Sequence, residues 1–427
     1  GGGVFSASFN GARLVRANST SSGVTIRLLQ QTATITLPLF PDEVVEGLET
    51  FTYTLSPVPG YDFVPGENAI TFTINDTATP PPPILPTINQ LSDSVFQLEG
   101  SDQPKLQISL IERNSNQVNE LGVFIVDDDK GTINGIEPNS TGYAQAALDR
   151  AELIFSAISN LPTGFNQTNS TSLLELNSGD KLGFLLVENS TIDAVRSGVT
   201  SLSEVIFAEP STQKVETLDD GNYLISWEDP KGNDVSDFKD LVIKALATNQ
   251  SLPLGAGLQG NPEGELIDLR DITGQVRAEF ELYREAAFDN LIGFYKVADA
   301  DGGIDADGNG TIDIRPGDPG YAKAAVQGRV AGLDLTVNNQ GTATFTTNLN
   351  GGSIYAPFII ANSKPEAIVD DNPNNDPAVY FAFLGANPSN YDHIRLLGNN
   401  TWGFEDLPLG GDKDYNDVIV QANFNLI

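Results

Sequence analysis

Glu405, Asp406, Asp412, Asp414, Asn416 and Asp417 fall within thirteen residues, in the run Trp402-Gly-Phe-Glu-Asp-Leu-Pro-Leu-Gly-Gly-Asp-Lys-Asp-Tyr-Asn-Asp417. A Gly pair sits in the middle and an apolar run, Val418-Ile-Val, follows. So many side-chain oxygens on one tight turn repel one another when bare. A hard divalent cation that takes about six to eight oxygens, Ca²⁺ above all, resolves that conflict.

A second acidic loop precedes it: Asp299-Ala-Asp301-Gly-Gly-Ile-Asp305-Ala-Asp307-Gly-Asn309-Gly-Thr-Ile-Asp313. From Asp305 the spacing follows the EF-hand loop through Asp307, Asn309, Gly310 at the turn, the Thr311 carbonyl and Asp313. Pro316 stands where the usual Glu would be, which leaves Asp318, Asp299 or Asp301 to complete the shell. The intervening Gly residues permit the positive-φ turn that makes alternate Asp side chains converge.

A worn copy of the first motif occurs earlier, as Trp227-Glu-Asp-Pro-Lys-Gly-Asn-Asp-Val-Ser-Asp237-Phe-Lys-Asp240. Without gaps, Glu228 aligns with Glu405, Asp229 with Asp406, Asp237 with Asp414 and Asp240 with Asp417. Val235 replaces Asp412 and Lys239 replaces Asn416. The Lys239 ammonium is therefore expected to stand where copy two holds its cation. Copy one also lacks the long acidic loop, having six fewer residues between Asp127 and Tyr143 than lie between Asp299 and Tyr321. Asp127 and Asp129 remain there as weaker ligand candidates.

The elements that must position these turns read as strands. Leu182–Val187 and Tyr355–Ile360 are short apolar runs suited to a sandwich core, and Val418 opens a closing strand. Other segments align between the copies: Val123-Phe-Ile-Val with Phe294-Tyr-Lys-Val, and Pro138…Tyr143-Ala-Gln-Ala-Ala with Pro316…Tyr321-Ala-Lys-Ala-Ala. A helix is expected to start near Tyr143 and near Tyr321. In copy one Ala147, Leu148, Ala151, Ile154, Phe155 and Ile158 recur at helical spacing. The expected fold is mainly β: tandem β-sandwich or jelly-roll-like modules, the two C-terminal ones each with one short core helix. Thr79-Pro-Pro-Pro-Pro-Ile-Leu-Pro86 is a stiff polyproline spacer. The expected organisation is an N-terminal unit at 1–78, this linker at 79–86, copy one at 87–248, a Gly-rich linker at 249–261 and copy two at 262–427.

Composition bounds the function. Net charge is −34, from 57 acidic and 23 basic residues, so no nucleic-acid partner is expected. No Cys is present, which excludes disulfides and thiolate metal sites. No run approaches ~20 apolar residues, so no membrane insertion is expected. The absence of Met, the initiator included, reads as a processed product or a piece of a longer secreted chain. Enzyme chemistry is barely represented. The one His, His393, has no nucleophile motif beside it and reads as structural.

Asp42, Glu46, Glu49 and Asp76 bracket alternating strands at Phe51/Tyr53/Leu55 and Ile70/Phe72/Ile74, and are weaker metal candidates. Residues 32–76 resemble a Calx-beta domain, a seven-strand sandwich of bacterial surface proteins. The resemblance implies calcium on Asp42, Glu46 and Glu49. It also implies a sandwich short of its first strands, open to a strand donated by another subunit. The acidic turns, the Asp-x-Asp-Gly loop and the Pro-x₄-Tyr-Ala-x-Ala-Ala start resemble a bacterial domain of unknown function, number 4114, frequent in cyanobacterial and other secreted proteins. That resemblance is strong in copy two and divergent in copy one, and implies an extracellular, calcium-associated module. Together these readings give the expectation of a secreted, calcium-stabilised structural protein of the cell surface or extracellular matrix. It would self-associate into a fibre, sheath or surface layer and not act as an enzyme. The alternative is a calcium-dependent adhesin for cell-surface polysaccharide, with Trp402 and Tyr415 as exposed aromatics.

Overall fold

The computed structural model describes residues 8–17, 24–36, 49–56, 64, 68–74, 85–100, 103–231, 236–370, 372 and 374–427. The chain is mainly β, built of antiparallel sheets with a few short helices. In the N-terminal stretch, Ser8–Asn10 pairs with Thr34–Thr36, Ala12–Ala17 with Val24–Leu28, and Glu49–Thr54 with Ala69–Ile74.

After residue 86 the same architecture appears twice. The first time, β1 (Lys105–Glu112), β2 (Asn119–Val126), α1 (Tyr143–Arg150), β3 (Ala151–Ala157), β4 (Thr171–Glu175), β5 (Lys181–Val187), β6 (Gln213–Thr217), β7 (Tyr223–Trp227) and β8 (Leu241–Thr248) follow in order. One sheet runs β4-β1-β8-β7-β6. The other places β3, β2 and β5 side by side and continues to Phe96–Glu99 and Thr87–Gln90. The second time, the elements are β9 (Gln275–Arg284), β10 (Leu291–Val297), α2 (Tyr321–Gln327), β11 (Thr342–Asn350), β12 (Ile354–Ile360), β13 (Ile394–Gly398), β14 (Thr401–Phe404) and β15 (Val418–Leu426). Their five-stranded sheet runs β11-β9-β15-β14-β13, the same order as β4-β1-β8-β7-β6.

Burial follows from the layering. β1 alternates buried and part-exposed because only one of its faces meets the other sheet. Ile108, Leu110, Ile225 and Ile243 from that side pack on Leu121, Val123, Phe184 and Leu186 from the other. β2 is buried along its whole length because its second face is covered by α1: Phe124, Val126, Leu185 and Val187 pack on Tyr143, Ala147 and Leu148. Both helices start after a glycine at positive φ, Gly142 (+89°) and Gly320 (+91°). Both first tyrosines donate to a loop carbonyl: Tyr143 Oη to Gly131 (2.8 Å) and Tyr321 Oη to Gly302 (2.7 Å).

One expectation is corrected. The helix in the first sandwich stops at Arg150, and Ala151, Ile154 and Phe155 lie in β3. All seven residues of β3 are buried. A strand buried on both faces shows no two-residue alternation, so its apolar positions fit a helical period by accident.

The two sandwiches share a buried charged junction. Glu120 on β2 accepts from Ser156 Oγ (2.8 Å) and Ile192 N (2.7 Å). Arg395 on β13 is 2 % exposed and its Nη1 donates to the Val118 carbonyl (3.3 Å). Burial raises the Glu120 carboxyl to about 7, partly offset by Arg395. Burial raises Asp392 to about 8, offset by Arg395 and augmented by Glu120 and Asp193. Raised folded values stabilise fully below the unfolded carboxylate range near ~4, and that stability is lost as pH climbs through the folded values. Urea unfolding midpoints are expected to fall as pH rises from ~4 and to level off above about 7 and 8. The Glu120→Gln variant should show a shallower fall, and an identical slope in the two proteins would refute this origin.

Candidate metal centre

The β14–β15 connection begins and ends on a paired rung, Phe404 opposite Val418, so Glu405 and Asp417 emerge side by side. Asp406 N donates to Asp417 Oδ2 (2.7 Å), closing the base of the turn. The Gly pair is required there. A side chain on Gly410 (φ +82°) would collide with the Tyr391 ring, and one on Gly411 would reach Leu407 and Glu405 Oε1. Leu409, Lys413 and Tyr415 also adopt positive φ, which side chains resist, so the turn is strained. Its far side is anchored by Tyr415, which is fully buried. Tyr415 Oη donates to the Asp392 carbonyl (2.6 Å) and its ring lies under the Arg395 guanidinium (4.1 Å).

The turn gathers the carboxylates. Glu405, Asp406 and Asp417 each bring an oxygen within 4.8 Å of the others, and so do Glu405, Asp412 and Asp414. Glu405 belongs to both sets and is itself 0 % exposed. Its Oε1 accepts weakly from Leu407 N (3.4 Å), and its Oε2 is buried with no hydrogen-bond partner among the described residues. Burial, then the charges of Asp417, Asp412 and Asp414, push the Glu405 carboxyl up to about 9. Burial and Asp406 push Asp417 to about 8, and burial raises Asp406 and Asp414 as well. Asn416 is buried in the same turn.

Two supporting residues lie outside the acidic motifs, Asn290 and His393, the latter expected to be structural. Asn290 donates from Nδ2 to Asp406 Oδ2 (2.6 Å) and accepts from Asn362 N (3.1 Å). His393 is fully buried and stacks on Tyr380 at 3.6 Å between centroids. Its Nδ1 lies 3.0 Å from the Glu405 carbonyl, so Nδ1 carries the proton and the ring is neutral. Burial lowers it to about 4. It fixes the backbone of Glu405 in the manner of a structural histidine.

The first sandwich builds the same turn with different partners. Asp229 N donates to Asp240 Oδ2 (2.8 Å), and Asn119 Nδ2 donates to Asp229 Oδ2 (2.5 Å), as Asp406, Asp417 and Asn290 do. Asn119 Oδ1 likewise accepts from Asn189 N (3.1 Å). Here, however, Ser115 Oγ also donates to Asp229 (2.7 Å), and Glu228 Oε2 accepts from Phe238 N (2.8 Å). Burial raises Asp229, but hydrogen bonds from Glu188, Asn119, Ser115 and the Lys231 backbone outweigh it and leave the group below its usual value. Lys231 donates from its backbone N to Asp229 Oδ1 (2.9 Å), while its ammonium pairs with Glu188 (3.2 Å) and Glu204 outside the turn. The expectation for Lys239 is corrected. It is half exposed and reaches outward to Glu112 (3.3 Å). Val235 lies outside the described residues.

In the other acidic loop Asp305, Asp307 and Asp313 converge within 4.8 Å, on the surface. Asp305 accepts from Gly308 N (2.9 Å), Asn309 N (3.1 Å) and Gly310 N (2.8 Å), with Gly308 and Gly310 at positive φ. Asp313 accepts from Ala306 N (2.8 Å), and Asn309 Oδ1 from Thr311 N (2.8 Å). Asp299 pairs with Arg315 (3.0 Å), Asp318 accepts from Arg315 N (2.8 Å), and Asp301 stands exposed, so none of the three joins that triad. Asp127 is held by Arg150 (2.6 Å) and Gln30 (3.0 Å), and Asp129 by Lys181 (2.8 Å), so cations of the chain already occupy that weaker pair. Asp42, Glu46 and Asp76 lie outside the described residues, and Glu49 opens a described strand.

Residues 349–425 match the family described as "Domain of unknown function (DUF4114)". The match spans β12 to β15, the acidic turn included. No curated protein and no solved structure matches the chain.

Two substitutions separate the buried centre from the exposed loop. In chelated protein Asn290→Ala should destabilise by about 1–3 kcal/mol, because buried polar groups lose partners. Asp307→Asn should stay within about 0.5 kcal/mol, as an exposed change. Urea unfolding of both variants checks this, and equal effects would contradict the assignment.

Proposed function

We propose that the two acidic centres of the second sandwich hold Ca²⁺, and that the chain is a calcium-stabilised structural protein of the cell surface or extracellular matrix. The observation that carries this reading is Glu405 Oε2, a buried carboxylate oxygen without a partner inside a ring of further carboxylates. A buried carboxylate without a partner is costly, and hydrogen bonding within the turn leaves Glu405 Oε2 without one, so the ionised form that a cation would bind is disfavoured in its absence. Glu405, Asp406, Asp412, Asp414 and Asp417 would hold the cation, with Asn416 beside them. Asp305, Asp307 and Asp313 would hold the exposed one, with the Thr311 carbonyl. The donor set is all oxygen, which suits a hard cation.

The function is linkage. A cation bound to the folded turn alone stabilises it, by about 1.4 kcal/mol at tenfold excess over Kd for each site. Extracellular modules that bind near ~10⁻⁴–10⁻³ M are ordered outside a cell and loosened inside. In this reading the first sandwich keeps the same turn by internal hydrogen bonds and Lys231, and so stays rigid without a metal. Domain identity for that copy, the Calx-beta reading of the N-terminal stretch and self-association by strand donation are parts of the proposal. The adhesin alternative called for aromatic side chains open to a sugar, and Trp402 and Tyr415 are both fully buried.

Three measurements test the proposal. Calcium should raise the unfolding temperature by a few degrees, about 2–4 °C per kcal/mol for a module of this size. Glu405→Gln should reverse sign with conditions: neutral to stabilising in chelator, where it removes a buried carboxyl that must take up a proton on folding, and destabilising by about 1–3 kcal/mol in calcium. The same sign in both conditions would sink the cation reading. Electron microscopy of natural material should show fibres or lattices that loosen on chelation. Dispersed particles under both conditions would count against a structural polymer.

A further inference from the structure

Sheet edges expose backbone N–H and C=O groups, and proteins blunt them with charge, proline, bulges or a covering segment. Strand β11 has none of these. Its nine residues, Thr-Ala-Thr-Phe-Thr-Thr-Asn-Leu-Asn, carry no charge, and it pairs with β9 in unbroken register along its full length. It ends its sheet, with no strand on its other side among the described residues.

The outward groups can be identified. Asn350 N and O bond to Tyr355 Oη (3.0 and 3.2 Å), so that residue turns its backbone away from β9. Alternation then turns Thr342, Thr344, Thr346 and Asn348 outward too. Among the described residues nothing bonds their backbone groups on that side. The counterpart strand in the first sandwich, β4, is covered. Leu173 N donates to Asn399 Oδ1 (2.7 Å), and Asn399 N to the Thr171 carbonyl (3.1 Å). The fold thus satisfies this edge within the chain once and leaves it open once.

The charge of the molecule selects the occupant. At net −34, two copies repel wherever charged surfaces meet. The free edge of β6 carries Lys214 and Glu216. β11 sets no like charges opposite one another when it pairs with itself. An antiparallel two-fold register matches all four outward residues, with Thr342 opposite Asn348 and Thr344 opposite Thr346. It also sets the half-buried Phe345 beside its own copy. We propose that β11 pairs antiparallel with β11 of a second copy of this chain, merging two five-stranded sheets into one. The pairing needs no ion and stands apart from the calcium reading.

Sedimentation equilibrium of the full chain, with and without calcium, tests it. The parent should show twice the 45.6 kDa chain mass at micromolar concentration. Thr346→Pro removes one outward N–H while sparing the β9 ladder. The double variant Thr344→Lys, Thr346→Lys sets ammonium groups face to face. Thr344 and Thr346 are exposed, so both variants should keep the parent's circular dichroism and halve its mass. The chain has no Cys, so introduced thiols report the register. Opposed residues of an outward pair lie about 5.5 Å apart at Cα, within disulfide reach. A mixture of Thr344→Cys and Thr346→Cys chains oxidised with diamide should cross-link more than either alone or a Thr311→Cys control. A monomeric parent, folded variants that keep the doubled mass, or cross-linking no better than the control would each overturn the pairing.

Discussion

Gathering five carboxylates, two of them buried, at one end of a β-sandwich is the constraint on which the rest of this structure depends. Each rung of β14 and β15 that carries Glu405 and Asp417 into place also brings like charges together. The turn tolerates this because everything around it is fixed. The Gly pair lets the chain fold over Glu405, Tyr415 anchors the far side to the Asp392 carbonyl, and neutral His393 holds the Glu405 backbone. Arg284 offsets part of the charge at Asp406, but no cationic side chain among the described residues pairs with Glu405. Glu405 Oε2 remains buried and unpartnered, which is the condition a bound cation would remove.

The two sandwiches form an internal comparison. Strand order, the Asp–Asp clasp and the supporting Asn are repeated almost distance for distance. The first sandwich adds Ser115 and Lys231 and draws its Asp229 below the usual carboxylate value. The second has Ala286 at the position of Ser115, counted from Arg284 and Arg113, and its Asp406 is raised. One scaffold therefore carries two electrostatic solutions to the same turn. Hydrogen bonds hold the acids of the first turn, and in the second Glu405 Oε2 has no partner among the described residues. The open edge of β11 follows a related logic, since its first-sandwich counterpart is satisfied from within the chain.

Much of this was legible in the residues. Alternating and continuous apolar runs gave the mainly β class. The spacing of Asp305, Asp307 and Asp313 marked out a loop whose carboxylates do converge, and the gapless alignment of the acidic turns is matched by their hydrogen bonds. Other features were not legible, for physical reasons. β3 is buried on both faces, so its period carries no sign of a strand. Asn290 acts across a sequence gap of more than a hundred residues, and only its fixed offset from Arg284, shared by Asn119 and Arg113, could have pointed to it. Lys239 looked like the replacement cation because alignment gives position and not direction. Its side chain leaves the turn toward Glu112, and the Lys231 ammonium pairs with Glu188 and Glu204.

The central claim is that the buried charge of Glu405 is matched by a calcium ion. Diffraction from crystals grown in calcium, with anomalous difference density, tests it directly. The account predicts a peak within about 2.3–2.6 Å of Glu405 Oε2, shared with oxygens of its neighbouring aspartates. A structure in millimolar calcium in which Glu405 Oε2 contacts only water or remains bare would contradict it.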